Sequence, residues 1–176
     1  FTNIELAGFG LEDGNLRVRY GHGRGTAAGE RWVLSRGDRR VVIDAVVLQA
    51  GYRDGRIEIA DATVRSANST VGARGWLSAR EGYHLALHGD ATGTPEVLKL
   101  FTTIDLSGSA SLSGTLAGPL EAPEFDGDLR GGPLSVRGVP FKSVSGRLGY
   151  RSGMFSISDA DIREGTSVYR LDASVA

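Results

Sequence analysis

Two pairs of aspartates, Asp126 with Asp128 and Asp159 with Asp161, have the type and spacing to do chemistry. With one residue between them on a strand, each pair shares a face, with carboxylates roughly 6.6 Å apart. That lies within the ~6.5–9.5 Å that an inverting glycosidase needs to fit its water. Aspartate is also an ordinary residue of turns and of the solvent side of such strands. Neither pair is accompanied by an aromatic cluster or a Lys/Arg pair to hold a sugar. The structural reading is the preferred one.

Other candidates are weaker. His84-Leu-Ala-Leu-His88 has the spacing that chelates zinc on a helix, but Tyr83, Leu85 and Leu87 alternate against the histidines as on a strand. There the two rings stand ~13 Å apart, too far to share a metal, so exposed histidines are expected. Gly21-His-Gly-Arg-Gly25 has the look of a phosphate loop without the amphipathic helix or the acidic residue that a dinucleotide fold requires. Asn68-Ser-Thr70 is a glycosylation acceptor pattern of low specificity. No nucleophile elbow, P-loop or zinc signature is present. No catalytic residue, metal site or cofactor is assigned, and the chain is not expected to be an enzyme.

The elements that must carry these residues are short strands. Apolar and polar residues alternate at period two, and Gly or Gly-Pro ends each run. Glycine makes up 26 of 176 residues, about twice the usual share. The apolar fraction of 40% argues against disorder, and a net charge of −1 gives no reason to expect nucleic acid. The absence of cysteine excludes disulfides and thiolate sites. No apolar run approaches the ~18 residues of a membrane helix. The strand pattern runs to the last residue, as expected of a piece of a longer protein.

Arg40–Leu48 is apolar at both parities, so it is expected to be covered on both sides. Gly21–Gly29 reads as a loop or thin edge strand, and Asp13-Gly14 as a turn. Thr94–Phe101 carries a Thr cap, Pro at the first helical position and crowded apolar residues, and is the one expected helix. It separates a first strand group (1–91) from a second (106–176) through a connector (92–105). Tyr52–Val64 aligns without gaps on Tyr150–Ile162, sharing Tyr, Arg, Gly, Ile, Asp and Ala. Spacings between copies are unequal, so no strict solenoid is expected.

One apolar row is expected to collect Phe125, Leu129, Leu134, Val136, Val139, Phe141, Val144, Leu148, Phe155, Ile157, Ile162, Tyr169, Leu171 and Val175. Few large side chains and abundant Gly, Ala and Ser fill a two-sheet core poorly. The expectation is an all-β, elongated, curled repetitive sheet with an apolar concave face and at most one short helix.

Leu112-Ser-Gly-Thr-Leu-Ala-Gly-Pro-Leu-Glu-Ala-Pro-Glu-Phe-Asp-Gly127, continued by Leu134–Gly146 and Tyr150–Ala160, resembles the Gly-Leu-x-Gly-Pro-Leu phrase of the AsmA/TamB group of bacterial envelope proteins. The resemblance implies a β-taco groove in the periplasm that conducts phospholipids between inner and outer membranes and supports outer-membrane biogenesis. It implies an N-terminal inner-membrane anchor elsewhere in the full-length protein. The implied partners are phospholipid acyl chains and an Omp85-type, TamA-like outer-membrane barrel, with no nucleic acid. Two alternatives remain: a polysaccharide-binding or polysaccharide-acting β-helix, and a structural adhesin-like β repeat with a dry core.

Overall fold

The computed structural model describes residues 4–6, 9–12, 14–93, 106–119 and 121–175. Alternation makes the described chain all-β. The strands are β1 (Ile4–Leu6), β2 (Phe9–Glu12), β3 (Asn15–Gly21), β4 (Arg24–Arg36), β5 (Arg39–Arg53), β6 (Arg56–Ser66) and β7 (Ser69–Ser78). They continue with β8 (Gly82–Gly93), β9 (Leu106–Gly118), β10 (Glu124–Val136), β11 (Val139–Phe141), β12 (Ser143–Arg151), β13 (Met154–Glu164) and β14 (Ser167–Val175). They form one 14-stranded antiparallel sheet, in which β2 and β3 both pair with β4, and β11 and β12 both pair with β10. The expected helix at Thr94–Phe101 lies outside the described residues, and β8 pairs directly with β9 on either side of that segment.

Tight turns explain the meander. His22-Gly23, Asp54-Gly55, Arg137-Gly138 and Ser152-Gly153 each place two successive residues at positive φ, the requirement of a type I′ hairpin, whose twist matches that of the strands it joins. Gly21–Gly29 is therefore this turn followed by the start of β4, a strand paired on both sides. The expected turn at Asp13-Gly14 falls partly outside the described residues, which omit Asp13; on either side of it β2 and β3 run in line along β4. Gly14 serves a different purpose there: a methyl on it would lie 2.6 Å from the Trp32 ring.

Cross-strand register sorts the side chains into two faces. One row runs Val46, Val64, Val71, Gly89, Leu112 and Leu129 across β5 to β10. The next runs Leu48, Ala62, Ala73, Leu87, Gly114, Gly127, Leu148, Ile157 and Ala173 from β5 to β14. A third runs Ala50, Ile59, Gly75, Leu85, Leu116, Phe125, Tyr150 and Phe155. These rows are apolar throughout. Their leucines are half-buried although no second layer packs on the sheet among the described residues. The side chains must therefore bury one another, which a sheet achieves by curling towards them. The result is an open, curled sheet with an apolar concave face.

The parity of this face slips in places. In β4 and β5, Glu30 pairs with Ala45 and Trp32 with Ile43, while Arg31 between them adopts a left-handed φ of 58°. Val41 and Ile43 face inwards before this point and Val46 and Leu48 after it. β5 is therefore not covered on both sides: Val42 and Val47 are 54% and 40% exposed on the convex face. The strand looks apolar at both parities because its inner set changes phase midway.

Candidate functional site

The concave face is where the sequence-derived lining residues meet. Phe125, Leu129, Leu148, Phe155 and Ile157 occupy rows already traced or adjoin them, and Leu171 follows Ala160. Val144, Ile162 and Tyr169 form a further row with Gly131. A register shift between Gly131 and Leu134 steps over Gly132-Pro133, so Leu134 and Val136 return to the same face opposite Phe141 and Val139. Val175 pairs with Phe155 and joins the third row by register. The thirteen besides Val175, whose side chain lies outside the described residues, share one face. They do not form one row, as expected from sequence, but several parallel ones, because neighbouring inward positions on a strand belong to different cross-strand rows.

The face extends well beyond that set. Leu85, Leu87, Leu112 and Leu116 continue it through β8 and β9, and Val46, Val64, Ile59 and Ile57 through β5 and β6. The signal for them was the same period-two alternation, present in the first half of the chain as well. Between the hairpin ends, the inner positions of the described strands carry no charged residue. Glu164 stands at such an end, where its carboxylate accepts a 3.4 Å hydrogen bond from the Tyr169 hydroxyl.

Curvature depends on glycines at close approach. Gly114 and Gly127 face each other across β9 and β10, and a methyl on Gly127 would come within 2.7 Å of the Phe125 ring. That ring lies over the glycine pair and replaces the missing side chains with one aromatic surface. Trp32 does the same over Gly14 and Gly29. Around Trp32 the groove is filled: Trp32, Val41 and Ile43 are buried, with Leu34, Val46 and Val64 packed against them. Its indole Nε1 has no hydrogen-bond partner among the described residues. At the other end the same face is open, with Phe155 60% and Tyr169 50% exposed.

The convex face is polar and internally paired. The Arg147 guanidinium donates from Nε and Nη2 to both carboxylate oxygens of Asp126 at 2.7 Å. That bidentate hydrogen bond holds the Asp126 carboxyl below its ordinary range. Arg151 pairs with Glu124 at 2.8 Å, Arg170 with Asp161 at 3.4 Å and Arg74 with Asp61 at 3.5 Å. Arg56 pairs with Glu81 and sits 4.5 Å over the Trp76 ring, which stacks on His84.

This geometry bears on the chemical candidates. Asp126 is clamped in its ionised form, the opposite of what a general acid requires. Asp159 and Asp161 are not regularly spaced on one strand face, because the register shifts between Ile157 and Ala160 and Asp159 takes a φ of 50° at the bulge. The Asp159 amide donates to Asp172 Oδ1 at 2.8 Å. His84 and His88 are exposed on the convex face. Asn68 lies in the β6–β7 turn, half-buried, with its backbone carbonyl accepting from the Thr92 amide at 3.0 Å. Among the described residues no group of His, Asp and Glu could hold a metal.

Compared with known proteins, the chain matches no family model, no curated protein and no solved structure.

Proposed function

We propose that the concave face is a section of a groove that carries phospholipid acyl chains through water. The observation that supports this reading is the set of uninterrupted, uncharged apolar rows that cross the sheet from strand to strand and are left uncovered towards β14. Cross-strand rows run along the length of the sheet. An acyl chain lying on them keeps apolar contact at every step, whereas each CH₂ exposed to water costs about 0.8 kcal/mol. About a dozen strands at ~4.8 Å give a track on the order of 50–60 Å. Such a lining needs continuity and no catalytic group.

The resemblance to the AsmA/TamB group points the same way. On this reading the chain serves in the periplasm of a bacterial envelope, as part of a longer protein anchored in the inner membrane. It conducts phospholipids towards the outer membrane and supports outer-membrane biogenesis, with an Omp85-type barrel as a partner of other parts of that protein.

The test is site-specific photocrosslinking in a bacterial periplasm. A crosslinker replacing Leu148 or Leu129 is expected to capture phospholipid, and one replacing Ser145 or Arg130, on the opposite face, to capture none. Equal capture from both faces would sink the reading.

A further inference from the structure

The two copies of the internal repeat build the same hollow. Beside the β5–β6 hairpin lies a depression of about 1260 Å³ lined by Arg19, Arg24, Arg53 and Glu58 together with Tyr20 and Tyr52. Beside the β12–β13 hairpin lies one of about 510 Å³, lined by Glu124, Asp126, Arg147, Arg151 and Tyr150. The repeat superposes Gly51 on Gly149 and Arg53 on Arg151. Across the strand, Gly149 faces Asp126, whereas Gly51 faces Arg24. A carboxylate in the second hollow is thus an arginine in the first.

The consequence is electrostatic. In the second hollow both arginines are neutralised from within, Arg147 by Asp126 and Arg151 by Glu124. In the first, Arg19, Arg24 and Arg53 make no ion pair or side-chain hydrogen bond among the described residues. Glu58, the acidic residue lining it, is close enough to Arg56 to act on its charge, and Arg56 is already paired with Glu81. Three guanidiniums against one carboxylate leave an excess of two positive charges, which a dianion would balance. Guanidinium forks match the oxygens of phosphate as they match those of carboxylate.

We propose that the β3–β6 hollow binds the phosphate of a phosphate ester, whose oxygens take the place that the Asp126 and Glu124 carboxylates hold in the β12–β13 hollow. The shared chemistry is the phosphate group, borne by a free ester or by a lipid headgroup. The assignment stands on the two hollows and does not depend on acyl chains occupying the concave face.

Calorimetric titration of the whole chain at low salt, with inorganic phosphate, glycerol 3-phosphate, and phosphatidylcholine vesicles with and without phosphatidylglycerol, tests this. Saturable binding of glycerol 3-phosphate, weakened about tenfold or more in Arg24→Asp and Arg53→Ala and unchanged in Arg130→Ala, is expected for a free-ester site. Binding confined to phosphatidylglycerol vesicles with the same dependence on Arg24 and Arg53 supports the headgroup as its source. Circular dichroism melts check each fold, and Arg53→Ala carries the test should Arg24→Asp unfold. The double variant Glu124→Gln/Asp126→Asn frees Arg147 and Arg151 and is expected to add a second equivalent of ligand. No binding to any probe, or binding indifferent to Arg24 and Arg53, overturns the proposal. Unchanged stoichiometry in the double variant overturns the equivalence on which it rests.

Discussion

The β5–β6 and β12–β13 hairpins share a sequence, a type I′ turn and a bulge, since the register shift between Ile59 and Ala62 recurs between Ile157 and Ala160. Beside both turns the apolar face is open: Tyr52 and Ile57 are 62% and 44% exposed at the first, and Phe155 60% at the second. The difference lies at the far ends of these strands, where Val41 and Ile43 are 3% and 5% exposed beneath Trp32 on β5, whereas Tyr169, opposite Ile162 of β13, is 50% exposed. One indole makes the difference, filling the space over Gly14 and Gly29, and β12 to β14 have no counterpart to it. The same strand grammar thus yields a packed end that holds the sheet together and an open end that offers apolar surface to a ligand.

The largest effect is expected where the packed end is emptied. Trp32→Ala should cost about 3–5 kcal/mol by urea denaturation, and Phe155→Ala no more than about 0.5 kcal/mol, as for an exposed site. Equal losses would erase the distinction between the ends. Filling a close approach comes next. Gly127→Val thrusts a side chain into the Phe125 ring and the β9 backbone, and should destabilise by about 1–3 kcal/mol, while Gly153→Asn, in an open I′ turn that tolerates Asn, should be nearly neutral. Leu148→Asp should abolish lipid binding at the open end with only a modest shift in melting temperature, and Ser145→Asp on the opposite face should change neither.

The smallest effect concerns pH. Because Arg147 lowers the Asp126 pKa in the folded state, the unfolded chain takes up its proton first as pH falls below about 3.8. Stability from this pair is present above that value and is lost as pH falls through the lower folded pKa. Asp126→Asn should therefore flatten the acid limb of a melting-temperature profile and leave its slope near neutrality unchanged. An unaltered acid limb would show that the pair does not persist in solution.

Local features of this molecule were legible in its sequence because they are set by nearest neighbours. Glycine marked the ends of the runs, alternation identified the strands, and thirteen of the fourteen expected lining residues, all but Val175, fall on one face. What depended on pairing between strands was not legible. The phase change at Arg31 made β5 look covered on both sides. The role of Gly14 emerges only once β2 and β3 are seen in line along β4, with Trp32 between them. Asp126 had the spacing of a catalytic pair with Asp128, and its actual partner, Arg147 on β12, is visible only through register. The exchange of Asp126 for Arg24 lay outside the aligned phrase, on the strand preceding each copy, where the sequences have diverged.

Native mass spectrometry of the chain expressed in a bacterial periplasm, with extraction of any bound lipid, tests the open groove most directly. Co-purified phospholipid, lost in a folded Leu148→Asp variant and retained in Ser145→Asp, is the predicted result. A lipid-free mass for the wild-type chain, with a cooperative melt that added phospholipid does not shift, would contradict it and identify the concave face as a self-sufficient core.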